Sequence, residues 1–124
     1  MKVQCLSSCS DASMSPDDLG LVAKHVMKLL VERRFEELEE ASGGAGLSAD
    51  DMEGALDDIG AALVMPAETV WREIRPRAVR NVPDAFELSL DLWTKGGRSG
   101  SSVELMVQLR GGRPVVMVED IIVN

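Results

Sequence analysis

The fold of this chain is decided by residues 86–124, where three apolar runs are separated by two glycine-rich segments. The segments read FELSLDLWT (86–94), KGGRSG (95–100), SSVELMVQL (101–109), RGGRP (110–114) and VVMVEDIIV (115–123). Apolar and polar side chains alternate along the first two runs, and a period of two places alternate side chains on opposite faces of a strand. Glycine supplies the positive φ of tight turns. This stretch therefore predicts an antiparallel meander of three consecutive strands.

The two faces of the predicted sheet differ in polarity. One face carries Phe86, Leu88, Leu90, Leu92, Val103, Leu105, Val107 and Leu109. The opposite face carries Trp93 and Met106 among polar residues. Apolar side chains clustered on a solvent-exposed face favour burial against another protein subunit. We therefore predict a homodimer through the face that contains Trp93 and Met106.

The last run predicts a strand buried on both faces, because it is apolar at nearly every position. Val115, Met117, Ile121 and Val123 are expected on one face, and Val116, Val118 and Ile122 on the other.

Helices are predicted in the first half of the chain. Ser15 can cap a helix that begins at Pro16, and a stripe at helical spacing follows it: Leu19, Val22, Ala23, Val26, Met27 and Leu30. His25 lies off this stripe and is expected to be exposed. Phe35 and Leu38 anchor a short acidic helical segment that runs through Ala41.

A second helix is predicted after Ser48, which is again a capping residue. Its apolar face carries Met52, Ala55, Leu56, Ile59 and Leu63, and Pro66 blocks continuation. Its other face carries Asp50, Asp51, Glu53, Asp57 and Asp58, which lack the alternating ligands, central glycine and terminal glutamate of a calcium loop. This face is expected to be solvated.

Residues 67–82 form an irregular, basic link to the meander. Pro76 and Pro83 confine any strand here to an edge or a short piece. Arg72, Arg75, Arg77 and Arg80 can hold an anion or pair with the acidic helices, and the second reading is favoured because surface ion pairing needs no special geometry.

Composition and charge argue against some classes of function. Aromatic residues make up 3% of the chain, Tyr is absent and the net charge is −8, which argues against nucleic-acid binding. No apolar run is long enough to span a membrane, and the start lacks a signal-peptide pattern, so we expect a cytoplasmic protein.

The 124 residues suit a single α+β domain at 15–124 after a disordered tail at 1–14, and Met14 is an alternative start. Cys5 and Cys9 lie in that tail and His25 is the single histidine, too few ligands for a structural zinc site, so no metal or other cofactor is expected.

Acidity is concentrated in residues 15–60, which carry 12 acids and 4 bases, whereas residues 61–124 are neutral. The general reading of such acidity is solubility, and the sharper one is a docking face for a basic protein. The candidate partner-binding residues are Glu36, Glu37, Glu40, Asp50, Asp57 and Asp58.

Four phrases carry a resemblance to a small, uncharacterised bacterial family, a domain of unknown function. They are VERRFEELEEASGG (31–44), LSADDMEGALDDIGAALVMP (47–66), LSLDLWT (88–94) and SSVELMVQL (101–109). The order of elements also resembles the cystatin-like or nuclear-transport-factor-2-like cone, in which a curved antiparallel sheet wraps a long first helix. That superfamily includes isomerases, dehydratases and plain binding modules. The ketosteroid isomerase mechanism cannot be carried over, because it uses a Tyr that this chain lacks.

Two hypotheses about function follow. The first is a non-enzymatic protein-binding module, similar in character to the small acidic immunity proteins that neutralise bacterial toxins. The alternative is a small-molecule binder or an enzyme of isomerase or dehydratase type that uses a pocket in the cone. Its base would be Asp91, Glu104, Glu119 or Asp120, turned inward beside Trp71 or Trp93. A deep pocket with a buried, unpaired carboxylate would favour this alternative.

Overall fold

The computed structural model describes residues 16–123, with side chains from Asp18 onward. The predicted tail at 1–14, with Cys5 and Cys9, lies outside the described residues. The helices are α1 (Pro16–Val31), α2 (Phe35–Ala41), α3 (Ala49–Ile59) and α4 (Thr69–Arg72), and the strands are β1 (Leu63–Val64), β2 (Arg77–Ala78), β3 (Ala85–Thr94), β4 (Gly97–Arg110) and β5 (Arg113–Ile122). This order confirms the predicted α+β class.

The strands form one antiparallel sheet, with β4 between β3 and β5. On the other side of β3, two short strands share a single edge. β1 pairs Val64 with Trp93 at one end of β3, and β2 pairs Arg77 with Glu87 at the other end. The sheet is open, and the wrapped cone of the family resemblance stays a prediction.

The helices cover one face of the sheet, and a single apolar core fills the space between the two layers. Leu88, Leu90, Leu92, Val103, Leu105 and Val107 of the sheet are buried in it, as are Leu19, Ala23, Val26, Met27, Leu29 and Leu30 of α1. The alternation of β3 and β4 is therefore confirmed, as is the apolar stripe of α1. Burial of each large aliphatic side chain contributes roughly 1.5–3 kcal/mol, so this interface dominates the stability of the fold.

The predicted starts of α1 and α3 are confirmed, and the predicted end of α3 is corrected. α1 begins at Pro16, and the Ser48 hydroxyl accepts a hydrogen bond of 3.1 Å from the Asp51 N–H at the start of α3. α3 ends at Ile59, because Gly60 takes a left-handed conformation with a φ of 78°. The prediction that the helix continues to Leu63 was wrong, since Leu63 pairs with Thr94 as part of β1.

The face assignment predicted for the last strand was wrong beyond Val118, because β5 contains a bulge. Glu104 pairs with Asp120 and Leu105 pairs with Val118, so Glu119 is an extra residue without a partner across the ladder. The bulge exchanges the two faces. Ile121 is therefore buried on the helical side with Val118, while Ile122 is 44% exposed on the outer side.

The first glycine-rich segment is also more regular than predicted. Only Lys95 and Gly96 form the turn, and β4 already begins at Gly97. In the second segment Gly111 and Gly112 have φ values of 59° and 80°, which fits the positive-φ hairpin turn that the glycines predicted.

The outer edge of β5 is covered by the loop after α2. The Leu47 N–H donates a hydrogen bond of 2.9 Å to the Val118 carbonyl. Gly46 lies so close to the strand that a Cβ there would lie 2.6 Å from Met117 Cγ and closer still to the Val118 oxygen. This contact fixes α2 and α3 against the sheet.

Candidate interaction surfaces

The acidic surface lies on α2 and α3, which pack side by side near the β5 edge of the sheet. In α2, Phe35 and Leu38 are buried, so Glu36, Glu37 and Glu40 face solvent. In α3, Met52 and Leu56 are buried in the same way, and the aspartates face outward. We define the acidic surface as Glu36, Glu37, Glu40, Asp50, Glu53, Asp57 and Asp58, all of which are exposed.

A hydrogen bond holds the two helices together at their polar ends. The Glu39 carboxylate accepts it from the Ala49 N–H, the first residue of α3, at 2.8 Å. A carboxylate at this position is stabilised by the positive end of the helix dipole. The contact therefore sets the spacing between the two rows of acids.

A surface cavity of about 360 Å³ lies between the helices. Its lining residues are Arg33, Arg34, Phe35, Glu36, Glu37, Ala49, Asp50 and Glu53. The structure thus brings Glu36, Glu37 and Asp50, three of the six predicted residues, around one cavity. Glu40 lies apart beside Gly43 and Gly44, and Asp57 and Asp58 lie at the far end of α3.

Two arginines neutralise part of this surface. Arg33 lies 2.5 Å from the Asp57 carboxylate, and Arg34 forms an ion pair with Glu37. Arg33 also lies over the Phe35 ring at 5.4 Å, in a left-handed conformation with a φ of 58°. Within residues 18–123, no ion pair involves Glu36, Glu40, Asp50, Glu53 or Asp58.

Sequence reasoning missed the roles of Arg33, Arg34 and Glu53. Glu53 follows Asp50 by three residues, which places both on one side of a helix, so spacing could have identified it. No sequence signal links Arg33 to Asp57, because Arg33 lies in the loop between α1 and α2 and meets α3 only through tertiary packing.

The basic link does not pair with the acidic helices, contrary to expectation. Arg77 pairs with Glu87 of β3 at 3.2 Å. Among the described residues, no ion pair involves Arg72, Arg75 or Arg80. β2 lies on the edge of the sheet between Pro76 and Pro83, as those prolines predicted.

The predicted dimer face is the outer face of the sheet, opposite the helices. Trp93 and Met106 both lie there, half-buried, but at different ends of the strands. Met106 pairs with Met117 and Glu87, whereas Trp93 pairs with Arg98, whose guanidinium lies 5.3 Å from its ring. The indole N–H of Trp93 is buried and has no hydrogen-bond partner within the described residues.

Carboxylates occupy the outer face between these two apolar positions. The Ser89 hydroxyl donates a hydrogen bond of 2.6 Å to Glu104, and Asp120 is the cross-strand partner of Glu104. Burial raises the pKa of the Glu119 carboxyl above its ordinary value, and the nearby carboxylates of Glu87 and Glu104 raise it further.

The described part of the chain contains no buried, unpaired carboxylate, because its buried polar side chains are Ser42 and Ser101. Asp91 and Trp93 do line one surface cavity of about 300 Å³, where the exposed Asp91 carboxylate lies 3.7 Å from Arg98. The Asp91, Glu104 and Asp120 side chains lie on the outer face, because they occupy the positions opposite the core-facing residues. His25 is exposed, as expected.

Residues 16–123 contain no group of three or more His, Cys, Asp or Glu side chains that could hold a metal ion. None of their helices combines the length and apolar character needed to cross a bilayer.

The chain was compared with known protein families, curated proteins and solved structures. A family model described as "Domain of unknown function (DUF7668)" matches residues 27–124. Neither the curated proteins nor the solved structures contain a match.

Proposed function

We propose that this chain, which belongs to the DUF7668 family, is a protein-binding module that captures a basic partner on the acidic surface of α2 and α3. The observation that carries the proposal is the cavity between the two helices, where Glu36, Asp50 and Glu53 converge. Arg33 and Arg34 also line it, but they pair with Asp57 and Glu37, and within residues 18–123 the three converging acids form no ion pair. A partner with arginine or lysine side chains would supply the missing charges.

The electrostatics of the surface support rapid capture of such a partner. Residues 32–60 contain 10 acids and 2 bases, so this short segment carries a net charge of −8, equal to that of the entire chain. Clustered charge of one sign raises the association rate with an oppositely charged protein. Exposed charges are screened beyond about 8 Å at physiological ionic strength, so this effect should decline as salt is added.

The shape of the surface also favours a protein over a free cation. The acids are spread along two helices, and the aliphatic stems and planar guanidinium groups of Arg33 and Arg34 lie beside them. The ion pairs of Arg33 and Arg34 are exposed and therefore weak, so both guanidinium groups can be displaced by a partner's side chains at little cost.

The test is the kinetics of binding to a synthetic arginine-rich peptide, measured by stopped-flow fluorescence at low and at physiological ionic strength. The variant Glu36→Lys/Asp50→Lys reverses one charge on each helix. We expect it to slow association by about tenfold at low salt and much less at high salt.

The matched control is Glu68→Lys/Glu73→Lys, which changes the net charge equally but lies at and beside α4. If the control slows association as much as the test variant, overall charge alone explains binding and the proposed surface is wrong. Thermal melting of both variants shows that each remains folded.

The same proposal includes a role similar to that of immunity proteins. The partner would be a basic protein, and this chain would block its action by covering its surface. A catalytic role has less support, because the candidate bases lie on the outer face of the sheet. Turnover of a small substrate that Asp91→Asn abolishes would favour the enzyme instead.

A further inference from the structure

The edge of β3 is interrupted between β1 and β2. β1 occupies the positions opposite Trp93 and Thr94, and β2 occupies those opposite Phe86 and Glu87. Residues 88–92 pair with β4 on one side, and within residues 16–123 no strand pairs with them on the other. Both short strands run antiparallel to β3, so they are two parts of one edge strand from which residues 65–76 depart.

The backbone groups that face this gap can be identified from the hydrogen bonds around it. The Val79 N–H donates to the Ala85 carbonyl at 3.0 Å, so Ala85 faces the β2 side. The Leu92 carbonyl accepts from the Ser99 hydroxyl of β4 at 2.8 Å, so Leu92 faces the opposite side. Successive residues of a strand direct their backbone N–H and C=O groups to alternate neighbouring strands. Those of Ser89 and Asp91 therefore point into the gap.

The walls of the gap combine apolar side chains with charges of both signs. Glu73, Asp91 and Arg98 belong to one wall, and Arg77, Glu87 and Glu104 belong to the other. Surface cavities of about 300 and 460 Å³ lie along it. Val70 and Ile74, both half-buried, line the first cavity, and Arg75 lines both. No ion pair of Arg75 occurs within residues 18–123.

We propose that this gap binds the C-terminal residues of an extended peptide, which adds to the sheet as a strand and places its carboxylate against Arg75. Strand addition to an exposed edge is stabilised by main-chain hydrogen bonds, and here Ser89 and Asp91 supply two N–H donors and two C=O acceptors. An apolar side chain of the peptide would contact Val70 and Ile74.

The direction of the flanking strands explains why a peptide terminus is preferred. A peptide that runs antiparallel to β3 runs in the same direction as β1 and β2, and it approaches Arg77 from the β1 side. Its chain would collide with the start of β2 unless it ended there. Arg75 precedes that start by two residues, so a terminal carboxylate meets an unpaired guanidinium at the point where the chain has to stop.

The length of the gap limits the bound segment to a few residues. Five residues of β3 are free of an edge partner, and at about 3.4 Å per residue they span roughly 17 Å. This site is distinct from the acidic surface, and its test can fail without affecting the proposed capture of a basic protein.

The experiment is an NMR titration of the full chain with an acetylated peptide of alternating Val and Thr that ends in a free carboxylate. The same peptide with a C-terminal amide is the matched control. Binding is expected to slow hydrogen exchange at the Ser89 and Asp91 amides, because they gain acceptors, and to leave the Leu90 amide unchanged. The amidated peptide and the Arg75→Gln variant are each expected to weaken affinity at least about tenfold, which corresponds to loss of one charge-assisted hydrogen bond.

Arg72→Gln is the control substitution, since Arg72 carries the same charge on α4 but does not line either cavity. Equal affinity for the carboxylate and amide peptides would overturn the proposed recognition of a C-terminus. Slow exchange of Ser89 and Asp91 in the free protein, or no shift of their amides at saturating peptide, would show that the edge does not accept a strand.

Discussion

Gly46 shows at the scale of one residue how the helical layer is attached to the sheet. Its φ is +79°, a conformation that residues with a Cβ rarely adopt, and it lies against Val118 and Met117. Gly44, two residues earlier, has a φ of +90° but has no atom within 4 Å of the position of a Cβ. Substitution of Gly44 therefore tests the energetic cost of the positive-φ backbone conformation alone, whereas substitution of Gly46 adds the cost of a steric clash with β5.

We expect Gly46→Ala to destabilise the fold by more than about 2 kcal/mol, since both the backbone conformation and the contact with β5 are affected. Gly44→Ala should cost about 1 kcal/mol, for conformation alone. Urea denaturation of the two variants measures the difference. Equal losses would mean that the loop moves away from β5 without cost.

Glu119, at the bulge of β5, predicts a dependence of stability on pH. Its pKa is raised in the folded state above the ordinary value of 4.5, through burial and the charges of Glu87 and Glu104, while Arg77 pairs with Glu87 nearby. A carboxyl with a raised folded pKa contributes stability below its unfolded pKa, and that contribution is lost as the pH rises through the folded pKa.

Glu119→Gln is therefore expected to be more stable than the original chain at neutral pH, by less than about 1 kcal/mol because the side chain is exposed. The difference should disappear below about pH 4, where Glu119 is protonated in both states. Chemical denaturation across this range measures it, and Glu40→Gln on α2 is the control. A difference that persists at acidic pH would contradict the charge explanation.

At the scale of elements, neighbouring residues of β4 face opposite environments. Leu105 is fully buried among the helices, whereas Met106 is half-buried on the outer face. We expect Leu105→Ala to cost roughly 2–5 kcal/mol and Met106→Ala about 1 kcal/mol or less. Thermal or urea denaturation of the dilute variants compares them. A larger loss for Met106 would mean that the strand presents its other face to the core.

The elements that sequence analysis located correctly are those with a local signal. The period of β3 and β4, the stripe of α1 and the Ser48 cap each depend on residues close together in the chain. β1 has two residues and hence no period, and its pairing depends on where β3 lies. The bulge at Glu119 lies among residues that are apolar on both sides, so alternation could not locate it.

The same distinction applies to the acidic surface. Its acids were identified from composition and helical spacing. Sequence alone did not predict that they converge on one cavity, because this depends on the angle between α2 and α3 and on the hydrogen bond from the Ala49 N–H to the Glu39 carboxylate. Neutralisation of Asp57 by Arg33 is likewise a result of tertiary packing.

At the scale of the whole molecule, the two sides differ in the way that charge and apolar area are combined. The acidic surface lies on the helices, and the outer sheet face carries Trp93, Met106 and Met117 around a group of carboxylates. A second copy placed face to face would cover the methionines but would also bring the carboxylates of the two copies together. At neutral pH, burial of the methionines favours association of the two copies, and repulsion between their carboxylates opposes it.

We still predict a homodimer through this face. Its association should strengthen as the pH falls, because the raised pKa of Glu119 leads to loss of that negative charge from the face. Light scattering at micromolar concentration, repeated at neutral and mildly acidic pH, measures the mass. Met106→Glu should produce monomers at both pH values. A monomer mass for the original chain under all these conditions would exclude this dimer.

The hydrogen bond between Leu47 and Val118 has a consequence for the order in which the molecule is made. During synthesis α2 and α3 leave the ribosome long before β5, and seventy-one residues separate the two bonded groups. Such a long-range contact is expected to form late, because the intervening chain must first be closed into a loop. The nascent helices would therefore display their negative charge before their mutual angle is fixed, and a chain stalled before Val118 would be acidic without yet having the cavity to which we propose a basic partner binds.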